Sequence, residues 1–159
     1  MDKRKLLESI QEQLEHDRQL LIEATQATYE AATHEESKPE NEYDTRGLEA
    51  SYLAGAQSKR VGEIEEALLM CKQISLKGFT ENDPIAPTAV VQLESDDKTT
   101  YVFLMPVGGG MTLKQDNRSV QVVSGQSPLG EALLGLKAGS VAVVDTGRLE
   151  KEYEVIKVW

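Results

Sequence analysis

The sequence predicts an α+β protein in which a long antiparallel helical hairpin precedes a small mixed domain. Residues 1–75 carry an apolar repeat with steps of three and four residues, which is the period of a helix. Residues 76–159 are instead rich in Val, Thr and Tyr that partly alternate with polar residues, as strands do. A glycine and two prolines in 75–87 separate the two patterns. We therefore expect a helical part over 1–75 and a second domain over 76–159.

Two stretches of the helical part predict long helices. Residues 3–33 contain neither Gly nor Pro, and their apolar side chains lie on one stripe close to a heptad seam. Residues 48–74 repeat that spacing, and Cys71 lies on their stripe as a small core residue. Two helices of this length joined by a short turn pack antiparallel, because each covers the stripe of the other. The pattern therefore predicts a coiled-coil hairpin.

The second domain is predicted to contain about five strands and one short helix. The helix begins with Ser127 as N-cap and Pro128 at its first position. Its Leu129 is apolar and belongs either to the core or to an exposed contact surface. The strands are expected over 88–95, 99–107, 119–124, 140–146 and 150–159.

An acidic segment, HEESKPENEYDT at residues 34–45, separates the two predicted helices. Like charges placed close together repel each other, so the clustering needs a reason. One reason is local, because acidic side chains next to a helix start face the positive end of the helix dipole. The other is a cation, because carboxylate oxygens are the ligands that Mg²⁺ prefers. The residues alone leave both interpretations open.

Composition argues against several classes of function. The formal net charge of −10 disfavours a direct grip on a nucleic-acid backbone or on an anionic membrane surface. A single cysteine provides neither a disulfide framework nor a metal-binding cysteine set. The N-terminus lacks the apolar run of a signal peptide, and no apolar stretch is long enough to span a membrane. A cytoplasmic protein is expected.

Two segments of the chain carry distinctive motifs, HEESKPENEY between the predicted helices and SPLGEALLGLKAGSVAVVDTGRLEKEYEVIKVW in the second domain. Both resemble the bacterial Gre transcript-cleavage factors, the GreA/GreB family. The second segment is similar to the family's closing pattern, from Ser127 and Pro128 to the Glu-Tyr strand at Tyr153. The segment HEESKPENEY has the length of the family's tip motif. Glu36 stands at the position of the family's Asp, while Pro39 stands at that of its second key acid.

The resemblance implies a fold and a mechanism. The second domain would have an FKBP-like fold and would dock on RNA polymerase. The hairpin would enter the secondary channel of the polymerase, and its tip acids would help to hold an Mg²⁺ shared with the polymerase active site. The polymerase would then cleave backtracked RNA with its own nuclease activity. The chain itself would be a monomeric transcription elongation factor, not an enzyme, with only indirect contact to RNA.

The same resemblance assigns candidate residues. Glu36 and Glu40 are the candidate polymerase-assisting acids and metal ligands, with Glu35 as a substitute. Glu42 and Tyr43 are candidate partner contacts at the start of the second helix. On the second domain, the candidate partner contacts are Ser127, Pro128 and Leu129.

Three other functions are compatible with parts of the pattern. The first is a non-catalytic regulator or inhibitor that occupies the same channel, which Pro39 favours because a proline replaces an acid. The second is the family of regulators of nucleoside diphosphate kinase, whose shorter hairpin disagrees with the two long helices. The third is an unrelated coiled-coil adaptor.

Overall fold

A computed structural model of the chain describes residues 1–33, 45–145, 147 and 150–159. Two long helices come first and a sheet with one short helix follows, so the predicted α+β class is confirmed. The chain divides into two compact units, one of residues 11–72 and one of residues 1–10 together with 73–159. The helices are α1 (Lys3–Thr33), α2 (Arg46–Gln73) and α3 (Pro128–Leu133), and the strands are β1 (Val90–Ser95), β2 (Lys98–Leu104), β3 (Thr112–Gln115), β4 (Arg118–Val123), β5 (Val141–Asp145) and β6 (Glu150–Val158).

In the unit of residues 11–72, α1 and α2 run antiparallel. Residues 11–15 of α1 lie beside 68–72 of α2, and the later residues 22–29 lie beside 51–61. The Arg18 guanidinium joins the helices, because it contacts the carboxylates of Glu15 at 2.6 Å and Glu65 at 3.2 Å. The buried apolar side chains described for this unit are Leu14, Ala54, Ile64 and Cys71.

A polar residue precedes each long helix and is hydrogen-bonded to its first turn. At the start of α1, the Asp2 carboxylate accepts hydrogen bonds from the backbone N–H of Arg4 at 3.1 Å and of Lys5 at 3.2 Å. Before α2, the Thr45 hydroxyl donates to the Glu49 carboxylate at 2.8 Å, and the Thr45 carbonyl accepts from the Glu49 N–H at 2.9 Å. The helices therefore begin within two residues of the positions that the apolar repeat predicts.

The six strands form one sheet in the order β3-β4-β2-β1-β6-β5. All neighbouring strands are antiparallel except β2 and β4, which are parallel. Two-residue turns close the hairpins β1–β2 and β3–β4, at Asp96-Asp97 and Asp116-Asn117. All four turn residues have positive φ angles between 49° and 60°, a left-handed conformation that Asp and Asn tolerate better than most residues.

The sequence pattern predicts five strands, and the structure has one more, β3. This strand has four residues and lies between the glycine triplet 108–110 and the Asp-Asn turn. Its two buried residues are Leu113 and Gln115, and only the first is apolar. An alternation of apolar and polar residues therefore cannot be seen over so short a segment.

The main core of the sheet unit lies between one face of the sheet and α3. Its fully buried members come from every strand except β3 and β4, with Leu133 from α3 and Ile85 from the segment before β1. The residues are Ile85, Ala89, Val91, Leu93, Val102, Leu104, Leu133, Ala142, Val155 and Val158.

The first turns of α1 lie on the opposite face of the sheet. The Gln115 side chain of β3 forms two hydrogen bonds with the Asp2 backbone, at 2.9 and 2.8 Å. Leu6 and Ile10 are fully buried, and Ile10 lies beside Gly108. Residues 1–10 therefore fold as part of the sheet unit. Among the described residues, no helix is both long and apolar enough to cross a membrane.

Candidate functional site

The structure describes only part of the residues that the sequence predicts for the site. Ser127, Pro128 and Leu129 are described, at the start of α3. The predicted tip residues fall within 34–44, which lies outside the described residues, so their roles stay predictions. They are Glu35, Glu36, Glu40, Glu42 and Tyr43. The described chain ends at Thr33 on one side of this segment and resumes at Thr45 on the other.

Ser127 fixes the start of α3. Its Oγ accepts a hydrogen bond from the Gly130 N–H at 3.1 Å and donates one to the Ser124 carbonyl at 2.7 Å. The Ser127 N–H also donates to the Ser124 carbonyl, at 3.0 Å. Pro128 follows at the first helical position, where no N–H is needed. The predicted N-cap is therefore present, and it holds this short helix against the end of β4.

Gly130 allows α3 to lie directly on the backbone of residues 124 and 125. A Cβ atom at position 130 would overlap the Ser124 carbonyl oxygen and crowd the Gly125 Cα. Both atoms belong to the backbone and cannot rotate away. The close approach therefore requires glycine, and it sets the position of the α3 side chains relative to the sheet.

The apolar side chains of α3 and its flanks divide between core and surface. Leu133 is fully buried and Leu129 is half-buried against the same core. Pro128 is exposed, and Leu134 is 40% exposed. Of these three leucines, Leu134 is therefore the one that presents apolar surface, and the sequence analysis did not single it out.

A groove of about 450 Å³ lies next to the start of α3. Residues 109–112 line one side, residues 121–124 line another, and Ser127 completes it. The lining combines glycines and polar side chains with the apolar Met111, Val122 and Val123. The groove therefore has polar and apolar parts, and the exposed Pro128 follows its lining residue Ser127 in the chain.

A second groove, of about 580 Å³, lies between α1 and α2 in the other unit. It forms because the α2 residues facing it are small, so the helices leave a gap. Ser51, Ala54, Gly55 and Ser58 line its α2 side. Tyr29 lines its α1 side and is 62% exposed, and Tyr52 is 72% exposed. The sequence analysis did not name either tyrosine as a candidate contact residue. The signal that could have identified them is a large aromatic residue outside the apolar stripe of its helix.

The titratable groups with perturbed pKa values in the described residues have structural explanations. Burial raises the pKa of the Cys71 thiol, and its side chain is 2% exposed, so it is a core residue as predicted. The Asp83 carboxylate accepts hydrogen bonds from the Thr80 N–H at 2.7 Å and hydroxyl at 2.8 Å, which lower its pKa. Among the described residues, no group of His, Cys, Asp and Glu is arranged to hold a metal ion.

Comparison with known proteins connects both units to one family. The family model for the C-terminal part of the transcription elongation factors GreA/GreB matches residues 80–159. GreA of Halorhodospira halophila is 30% identical over 156 residues, which cover 97% of this chain and 90% of that protein. The transcription inhibitor protein Gfh1 of Thermus aquaticus is 29% identical over 152 residues, covering 95% and 90%. The crystal structure of Thermus aquaticus Gfh1 is 27% identical, covers 95% of this chain and 92% of that one, and has a TM-score of 0.38.

The family model accounts for half of the chain, and the GreA relative extends the match over both long helices. The chain therefore belongs to the GreA/GreB family of transcription elongation factors, which are accessory factors of transcription and not enzymes themselves.

Proposed function

We propose that this protein binds RNA polymerase in its secondary channel and stimulates the Mg²⁺-dependent cleavage of backtracked RNA by the polymerase. The observation that carries the proposal is the similarity to GreA along 97% of the chain, which includes the acidic segment 34–45. This segment follows α1 and precedes α2, so the acids are placed between two long helices in the sequence. A cytoplasmic location follows from the proposed partner.

Glu36 and Glu40 are the acids that would assist cleavage, with Glu35 as a substitute. Their carboxylate oxygens fit the preference of Mg²⁺ for hard oxygen ligands. A bound Mg²⁺ would stabilise the charge that develops on the oxygens of the phosphodiester during hydrolysis. The carboxylates would also orient water, and Glu42 and Tyr43 would contact the polymerase at the start of α2.

The surface around α3 is the proposed contact of the sheet unit with the polymerase. Pro128 and Leu134 are exposed and apolar, and Ser127 lines the adjacent groove of about 450 Å³. Leu129 would support this surface from the core. Leu134→Glu should weaken binding to polymerase about tenfold, because it places a charge in an apolar contact. Val141→Glu on the exposed strand β5 is the matched control and should leave binding unchanged.

The cleavage activity is tested with a stalled elongation complex that has backtracked. The protein and Mg²⁺ are added, and shortened RNA is measured. Glu36→Ala and Glu40→Ala should abolish the shortening, whereas Glu66→Ala, which removes an exposed acid from α2, should not. Equal cleavage by the wild type and both tip variants would contradict the assignment of these acids.

A second candidate is a regulator that occupies the channel and inhibits transcription without stimulating cleavage. Two observations favour it: Pro39 stands where the family's second key acid is expected, and the relative Gfh1 is named a transcription inhibitor protein. In the same assay, this candidate predicts binding and inhibition by the wild type without shortened RNA. Pro39→Glu would then confer cleavage stimulation on the protein, because it places a carboxylate at the position of the family's second key acid.

A further inference from the structure

Two aromatic rings and two cations lie together on the sheet, and we call Tyr101, Arg118, Lys157 and Trp159 the aromatic–cationic patch. The ring centroids of Tyr101 and Trp159 are 6.5 Å apart and the rings are tilted by 45°. The Arg118 guanidinium carbon lies 5.3 Å from the Tyr101 centroid, and the Lys157 ammonium lies 5.2 Å from the Trp159 centroid. These are cation–π distances, so each ring has one cation as its neighbour.

The strand register places all four side chains on one face. Tyr101 pairs with Gln92, and Gln92 pairs with Lys157, so these three form one row across β2, β1 and β6. Arg118 lies two residues before Val120, the partner of Tyr101 on β4. Trp159 exchanges backbone hydrogen bonds with Val90, two residues before Gln92. Residues two apart on a strand share a face, and this face is the one opposite α3.

The first turn of α1 adds further positive charge at the edge of the patch. Just before this turn, the Asp2 backbone is hydrogen-bonded to the Gln115 side chain. Gln115 lies across the β3–β4 turn from Arg118. The Lys3 ammonium is bonded to the Trp159 carbonyl at 2.8 Å. Arg4 and Lys5 of this turn are exposed.

The cations of the patch and of this turn are not held in ion pairs. Arg4, Lys5, Arg118 and Lys157 form no ion pair with any described residue, and the Asp2 carboxylate is hydrogen-bonded to the backbone N–H groups of Arg4 and Lys5. A local group of unpaired cations is unexpected in a chain with 27 acidic and 17 basic residues. A ligand that fits the aromatic–cationic patch therefore carries negative charge.

We propose that the aromatic–cationic patch binds single-stranded RNA. Bases stack on aromatic rings at a sheet surface, and phosphates bind Arg and Lys next to those rings. An acidic protein segment would use the cations but not the two rings, so the rings favour nucleic acid. Glu94 and Glu154 lie one row further along the same face and would direct the RNA backbone towards Arg118 and the first turn of α1. This contact goes beyond the proposed function, which assigns the sheet unit to the polymerase alone.

The test uses the full chain and a short labelled oligouridylate, without polymerase, at about 50 mM salt, where phosphate contacts are weakly screened. Binding is followed by fluorescence anisotropy of the RNA and by quenching of Trp159, the only tryptophan. Arg118→Gln and Lys157→Gln should each weaken binding about three- to tenfold, and Tyr101→Leu about tenfold, because one stacking surface is lost. Glu94→Gln should strengthen binding. Lys59→Gln, which removes an exposed cation from α2, should change nothing.

Three results would overturn the proposal. The first is no change in anisotropy or in Trp159 fluorescence. The second is equal competition by an oligoglutamate of the same charge, which would assign the patch to an acidic protein segment. The third is an equal effect of Arg118→Gln and Lys59→Gln. Arg118 is exposed, so its variant keeps the test valid if Tyr101→Leu unfolds. Because no polymerase is present, a failure here leaves the proposed function untouched.

Discussion

Lys3 is the residue that joins the most distant parts of the sheet unit. Its ammonium donates hydrogen bonds to the carbonyls of Lys77, Thr88 and Trp159, with distances of 2.9 Å to Thr88 and 2.8 Å to Trp159. The Phe79 ring lies 4.6 Å from the same ammonium. Thr88 has a φ of 75°, a left-handed conformation that costs free energy for a β-branched residue. The bond from Lys3 helps to hold that conformation.

Lys3 should make the stability of the protein depend on pH in the alkaline range. Burial lowers the pKa of Lys3 to about 8, below the value of an unfolded chain. Between about pH 8 and 10.5 the unfolded state therefore binds more protons than the folded state, so stability contributed by this group rises with pH. Over this window, the free energy of unfolding of the wild type should rise by about 1 kcal/mol relative to that of Lys3→Met. The rise is modest because the ammonium is only partly buried. Urea unfolding of both proteins at pH 7 and pH 10 measures the difference, and a constant difference would contradict the assignment.

Gly130 should be the glycine of the sheet unit that tolerates substitution least. Gly130→Ala should lower the free energy of unfolding by about 2 kcal/mol or more, because the new Cβ meets backbone atoms that cannot move alone. Gly109→Ala is the matched control, since its Cβ would make only ordinary contacts with Ser124 and its φ is not left-handed. The control should stay within about 0.5 kcal/mol of the wild type in denaturant unfolding. Similar losses in both variants would show that the close approach is not the cause.

Single residues differ in how far the sequence predicts them. The core position of Cys71 follows from the helical stripe alone, and the packing of Trp159 on its own domain is the expected fate of an apolar ring. The neighbours of Trp159 are a different matter. Arg118 and Lys157 reach the two rings only through the sheet register, which pairs strands far apart in the chain. Net charge therefore argued against nucleic-acid contact, while the fold gathers the cations in one place.

At the scale of elements, local chemistry decides what the sequence reveals. The long helices are predictable because their apolar stripes extend over many turns. β3 is not predictable from alternation, yet the Asp-Asn pair after it is a strong turn signal between Gln115 and Arg118. β3 could therefore be predicted from the turn that follows it, and not from its own residues. The tip acids between α1 and α2 stay a prediction.

The β3–β4 turn provides a prediction for an element. Asn117 has a φ of 60°, which a β-branched residue adopts only at a cost. Asn117→Val should lower the free energy of unfolding by about 1–2 kcal/mol. Asn117→Gly should be neutral or slightly stabilising, because glycine adopts this conformation freely. Thermal unfolding measures the Tm of both variants. Equal Tm values would contradict the prediction, because they would mean that the hairpin does not depend on its turn.

At the scale of the whole molecule, burial is distributed unevenly between the two units. Among the described residues, four buried apolar side chains belong to residues 11–72, namely Leu14, Ala54, Ile64 and Cys71. The other buried apolar side chains of the described residues belong to the sheet unit, including the core between the sheet and α3. Burial of apolar surface is the main source of stability. The helical pair therefore has less stabilisation per residue than the sheet unit.

The helical pair should therefore open at a lower free energy than the sheet. In native-state hydrogen exchange, amides of α1 beyond residue 10 and of α2 should exchange through openings that require less free energy than those of β1, β2 and β4. Leu14→Ala should speed exchange in both helices further, because it leaves a cavity in the small core, and should leave the strands unchanged. Leu69→Ala, at a side chain that is 57% exposed, is the control and should have little effect. Identical opening free energies in helices and strands, shifted together by Leu14→Ala, would instead show that both units unfold in one cooperative step.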